Sequence, residues 1–79
     1  MATKKMAFEF NTAKDINTFT FECYKYRCTN VVYTRETPNG YIATVHYAAA
    51  YTADRAIARD HMYIDAANEL GGELVEEES

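Results

Sequence analysis

Two cysteines, two histidines and one misplaced carboxylate are the residues of this chain with the chemistry for a metal or a covalent site: Cys23, Cys28, His46, His61 and Asp60. Structural zinc is held by tightly spaced ligand pairs. Here four residues separate Cys23 from Cys28, and fourteen separate His46 from His61. Neither spacing is that of a zinc finger, and no metal is expected. A thiol nucleophile needs a histidine base and a third group to orient the imidazole. Asp60 could serve as that group, but nothing in the order of residues brings it to a cysteine and a histidine together. The three glycines lie in a turn and a helix stop, so no phosphate-cradling loop is present. The reading at this level is therefore no catalytic residues, no cofactor and no enzyme.

Cysteines five positions apart point to opposite faces of a strand, or about 140° apart on a helix. They cannot bridge within one regular element. Free, buried thiols are expected, which suits a reducing compartment. No apolar run approaches the length of a membrane span, and the start MATKKMAFEF lacks the apolar core of a signal peptide. A cytoplasmic protein with no membrane partner is the expectation.

Binding chemistry is better represented. Residues 1–59 carry eight Lys/Arg and five Asp/Glu, whereas residues 60–79 carry seven Asp/Glu and no Lys or Arg. The two parts contribute +3 and −7, which together give the net charge of −4. Such asymmetry can mark an interaction surface. The candidate partner-binding residues are Asp65 and Glu69 on a helix, with Glu73, Glu76, Glu77 and Glu78 after it. They point to a protein partner with a basic surface. In size and charge the chain resembles small acidic proteins encoded by phages and mobile elements. That resemblance implies an inhibitor or regulator whose acidic helix face blocks a nucleic-acid-handling partner.

A second candidate is Tyr24-Lys25-Tyr26-Arg27, which interleaves aromatic and basic side chains as a single-strand nucleic-acid platform does. The RNP aromatic motif of an RRM sheet is absent, and a pI near 5.0 opposes phosphate binding. Nucleic acid is the weaker partner reading. A third is a homodimer sharing an edge strand, with residues 5–10 as the candidate edge.

The elements that must position these residues follow from periodicity. Residues 52–71 read as a helix: Thr52 is a good N-cap, Asp54 suits the positive end of the dipole, and Gly71-Gly72 is a stop. Its apolar stripe is Ala53, Ala56, Ile57, Tyr63, Ile64, Ala67 and Leu70, with Arg55, Arg59, Met62, Asp65 and Glu69 on or near the other side. Asp60 falls inside the stripe, where a lone carboxylate is costly. It is expected to bond a tyrosine hydroxyl or Arg35, and otherwise to face a partner.

Before that helix, Thr37-Pro38-Asn39-Gly40 reads as a hairpin loop between residues 30–36 and 41–49. A three-residue loop with a bulge at Gly40 would pair Tyr33 with Val45 and Val31 with Tyr47. The face under the helix would then hold Val31, Tyr33, Val45 and Tyr47. Residues 5–10 alternate as a first strand, with Met6, Phe8 and Phe10 on one face. Residues 16–28 are ambiguous: Thr12 and Asp15 resemble a capping box and Ile16, Phe19, Cys23 and Tyr26 share a helical face, but aromatic and β-branched content tips the reading towards a strand. Residues 73–76 could add a short edge strand.

The fold class expected is α+β: a three- to four-stranded antiparallel sheet with a C-terminal helix packed on one face. The alternative order, strand-helix-strand-strand-helix-strand, is that of ferredoxin-like domains. One domain is expected over residues 1–75, with 76–79 as an acidic tail.

Overall fold

A computed structural model describes residues 3–26 and 28–78. The chain runs β1 (Thr3–Phe10), α1 (Ala13–Tyr24), β2 (Asn30–Thr37), β3 (Gly40–Ala48), α2 (Ala53–Glu69) and β4 (Glu73–Glu78). The four strands form one antiparallel sheet in the order β2-β3-β1-β4. The fold is α+β, and its connectivity is the βαββαβ alternative. Two helices cover one face of the sheet and leave the other open.

The second element corrects the lean towards a strand at residues 16–28. The Thr12 hydroxyl accepts from the Asp15 amide at 3.1 Å and caps α1. Ile16, Phe19 and Cys23 then recur at three and four residues and are buried. Thr18 and Thr20, which favour strands in isolation, donate their hydroxyls to the carbonyls of Lys14 and Ile16 one turn back. Phe19 lies between Phe8 and Phe10 of β1, with ring centroids 5.3 and 5.1 Å away. Tertiary burial of that single face outweighs β propensity.

The hairpin differs from its sequence reading by one residue of register. Thr37 pairs with Gly40, Val32 with Val45, Tyr33 with Thr44 and Val31 with His46. The connection is therefore the two residues Pro38-Asn39. Because side chains alternate, one residue of slip exchanges the two faces of β2. Val32, not Val31 or Tyr33, lies towards the helices, while Val31 and Tyr33 are 47% and 61% exposed on the open side. On β3 the expected inward residues Val45 and Tyr47 are buried, with Ala43 beside them. Gly40 fixes this end of the sheet: its φ is 153°, and a Cβ there would come within 2.5 Å of the Phe10 carbonyl oxygen.

The α2 helix keeps its expected ends. The Thr52 hydroxyl accepts from the Arg55 amide. Gly71, at φ 76°, donates to Asn68, and Gly72 donates to Ala67 at 2.8 Å, the paired bonds of a Schellman stop. Its buried face is rotated from the expected stripe. Tyr63 and Ala67 are buried, and Arg59, Met62 and Ala66 are half-buried. Ala53 is exposed, and so is Ile57, at 59%. The helix crosses the sheet with its C-terminal half over the core, so its first turn overhangs.

β1 is interior, flanked by β3 and β4, so residues 5–10 cannot be the shared edge of a dimer. The edges are β2 and β4. β4 runs through Glu76, Glu77 and Glu78, which the sequence reading assigns to the acidic tail, and these residues pair with Ala7, Met6 and Lys5.

Candidate functional site

The two helices leave a cleft of about 440 Å³ between them. Its floor is apolar: Met62 and Ala66 from α2, Leu70 at the C-cap of that helix and the ring of Tyr26 beyond the end of α1. Its rim carries three carboxylates, Glu22 from α1 and Asp65 and Glu69 from α2. The spacing follows from helix geometry. Asp65 and Glu69 are one turn apart on a flank of α2, adjoining the Met62–Ala66 row that packs inward. Glu22 lies beside Cys23, so burying Cys23 turns its neighbour towards the groove edge.

Tyr26 closes one end of this cleft. Its hydroxyl donates to the Met62 carbonyl at 3.3 Å, and its ring meets Tyr63 edge-on at 5.3 Å. Burial raises its phenol pKa above the ordinary value, with Glu22 and Glu69 among the charges that add to the shift. Glu22 is bridged by Lys25 at 3.1 Å, and Lys25 also lies 4.9 Å from the Phe21 ring centroid. Asp65 and Glu69 are exposed and have no ion-pair partner among the described residues.

The six acidic candidates thus fall into two groups. Asp65 and Glu69 belong to the cleft. On β4, by contrast, three of the four glutamates pair with two lysines of the neighbouring strand. Glu77 pairs with Lys4 at 2.9 Å, while Lys5 takes Glu76 at 3.0 Å and Glu78 at 2.7 Å. Glu78 and Glu76 hold the Lys5 pKa above its ordinary value, and Lys5 holds Glu78 below its own. Glu73, across from Glu9, has no cation within bridging distance among the described residues. Glu22 is the rim residue that sequence reasoning passed over. It becomes visible only if residues 13–24 are helical, since it then precedes the buried Cys23 and lies one turn from Thr18 and Tyr26 on the same flank.

The other candidates disperse. Tyr24 is 67% exposed at the end of α1, whereas Tyr26 is engaged in the cleft, so the two rings do not form one platform. Arg27 lies outside the described residues. Cys23 is buried in the core, where desolvation pushes its thiol up to about 12. Cys28 is half-buried with its Sγ 3.0 Å from the Tyr63 hydroxyl. His46 lies on the open sheet face against the Tyr33 ring, centroids 5.5 Å apart, and His61 is exposed on α2. Among the described residues no group of three or more His, Cys, Asp or Glu is placed to hold a metal ion. No described helix is long and apolar enough to cross a membrane.

Asp60 resolves as an internal contact. It accepts from the Tyr47 hydroxyl at 2.6 Å and from Lys4 at 2.5 Å, tying α2 to β3 and β1. The expected tyrosine partner is present and Arg35 is not involved. Against this geometry, no protein-family model, no curated protein and no solved structure matches the chain.

Proposed function

We propose that this chain is a non-enzymatic protein-binding module that docks a basic segment of a partner in the α1–α2 cleft. The observation that carries this reading is the cleft itself. Three carboxylates, Glu22, Asp65 and Glu69, rim a floor of Tyr26, Met62, Ala66 and Leu70. A lysine or arginine suits such a site twice, with its methylene stem on the apolar floor and its charge at the rim. Charge of one sign around the groove would speed encounter with a basic surface and repel acidic ones. Because Asp65 and Glu69 have no cation within bridging distance among the described residues, a partner's cation would displace no existing pair there. An inhibitor or regulator that occupies the basic groove of a nucleic-acid-handling protein is the biological form we favour for this docking.

The test is capture of partners from the native host's lysate after nuclease treatment, using the tagged wild type and an Asp65→Lys/Glu69→Lys variant of unchanged circular dichroism. One protein retained in near-stoichiometric amount by the wild type, eluted by salt and lost by the variant, supports the reading. Equal retention by the variant rules out the cleft. Binding that disappears with nuclease instead transfers the weight to Tyr24 and Lys25, the exposed aromatic-basic pair at the end of α1, and to a single-stranded nucleic-acid ligand.

A further inference from the structure

We infer that β2 is the edge along which two copies of this chain pair, antiparallel and about a two-fold axis, joining their sheets into one of eight strands. The sheet has two edges, and they are unlike. β4 carries the devices that keep an edge unpaired. Four of its six residues are glutamates, and its register against β1 slips between Ala7 and Phe8. Any two-fold pairing of β4 with itself that engages four or more of its residues sets carboxylates directly opposite each other. β2 has none of this protection over its first five residues, Asn30 to Thr34, which are all uncharged. It is eight residues long, and its exposed side chains include Val31 and Tyr33. Pro38 lies beyond its end, in the turn, where it removes no outward amide from the strand.

Charge and symmetry select the pairing. A two-fold perpendicular to the sheet keeps both helix layers on one side, which requires paired residue numbers to sum to an even value. Two registers of this kind pair seven of the eight residues of β2, one with its axis at Tyr33 and one with its axis at Thr34. In the first, Val31 faces Arg35 of the second copy and Asn30 faces Glu36. In the second, Tyr33 faces Arg35 and Val32 faces Glu36. Neither register places like charges opposite, and both cover the exposed Val31 and Tyr33 with cross-strand neighbours. An arginine beside a tyrosine ring adds an attraction of its own. On the open face the row Val31, His46, Lys5, Glu78 runs from the β2 edge to the β4 edge. Pairing at β2 therefore brings the apolar ends of the two sheets together and leaves their acidic ends outermost.

Sedimentation velocity over a wide range of protein concentration tests this, on the wild type and on a Val31→Lys/Tyr33→Lys variant. Both replaced side chains are exposed, so the fold is expected to persist. The wild type should pass from monomer to dimer and stop there. The variant should weaken that dimer roughly tenfold or more. A wild type that stays monomeric at every concentration overturns the inference. So does a dimer that the variant leaves unchanged, or growth beyond dimer, which would signal head-to-tail pairing of β2 with β4. If the lysine variant does not fold, Tyr33→Cys and Thr34→Cys decide: oxidation should yield a disulfide-linked dimer with one of them, and failure of both overturns it. Asp65→Lys/Glu69→Lys should leave the dimer intact, which separates this surface from the cleft.

Discussion

The Tyr47 hydroxyl donates to Asp60 Oδ1 at 2.6 Å, and this bond seats a carboxylate in the inward side of α2. The other carboxylate oxygen takes Lys4 at 2.5 Å, and Lys4 continues to Glu77 at 2.9 Å. A single polar chain thus connects β3, α2, β1 and β4 at one end of the core. Replacing Asp60 with alanine leaves the Tyr47 hydroxyl and the Lys4 ammonium without their shared acceptor. The expected cost is about 1–3 kcal/mol, in the lower half of that range because the Lys4 and Asp60 side chains retain 18% of their exposure. Tyr47→Phe removes one hydroxyl and should cost about 1 kcal/mol. Urea unfolding of both single variants and the double should show a coupling of at least ~0.5 kcal/mol. Additive effects would mean that the two side chains do not act together.

How legible this arrangement is in the sequence depends on the kind of signal each part carries. Asp60 is visible because a charge within an apolar stripe must find a partner, and a tyrosine is the partner found. The ends of α2 are visible because Thr52 and Gly71 act locally, through one cap bond and one positive φ. The character of residues 13–24 is not decided locally. Phe19, Thr20 and Phe21 favour a strand by type, and only packing of Phe19 against Phe8 and Phe10 settles the matter. The hairpin register is decided even further away. Gly40 suits two loop lengths, and its close approach to Phe10 of β1, distant in sequence, accompanies the shorter one. Since a one-residue slip exchanges faces, the shorter loop places Val31 and Tyr33 on the open side and not in the expected core. The cleft depended on the same ambiguity: with residues 16–28 read as a strand, Glu22 has no reason to meet Asp65 and Glu69.

Gly40 and Gly72 should tolerate no side chain, for different reasons. At Gly40 a Cβ meets a backbone oxygen, Phe10 O at 2.5 Å, which cannot rotate away, and the φ of 153° is itself unfavourable for alanine. At Gly72 the nearest atoms are Cε1 and Cζ of the Phe10 ring at 2.5 and 2.7 Å, backed by the Ala67 carbonyl at 3.0 Å. Overpacking of this kind costs about 1–3 kcal/mol. Gly71, with nothing within 4 Å of its Cβ, should lose less on substitution by alanine, through its positive φ alone. Thermal melts of the three alanine variants should therefore rank Gly71→Ala as the mildest, and any other order would contradict the packing described for Phe10.

The thiols should differ in reactivity. Cys23 is buried, and desolvation holds its pKa up to about 12, so almost no thiolate exists at neutral pH. Alkylation under native conditions should leave Cys23 unmodified and reach only Cys28, slowly, because Cys28 is half-buried against the Tyr63 hydroxyl. Mass spectrometry after native labelling should show at most one adduct, and two after unfolding in urea. A second adduct acquired rapidly in the native state would show that α1 opens on the labelling timescale.

Alkali should unfold this protein before acid-base chemistry of its exposed groups explains any loss. Burial raises the pKa values of Tyr47 and Tyr63 above 10.0, assisted by Asp60 for the first and by Cys28 for the second. Burial likewise lifts Cys23 from 9.0, and hydrogen bonds to Asp60 and Glu77 lift Lys4 above 10.5. In each case the folded chain holds its proton more tightly than the unfolded chain. Their contribution to stability is complete below the unfolded values and is lost as the pH climbs from 9.0 and 10.0 towards the folded ones. Each buried group that the unfolded chain has released costs up to about 1.4 kcal/mol per further pH unit. The urea midpoint should therefore be level from neutral pH to about 9 and fall steeply above 10. Tyr47→Phe and Tyr63→Phe, measured separately, should each make that alkaline fall shallower. A midpoint that stays level above pH 10 would mean that water reaches these hydroxyls in the folded state.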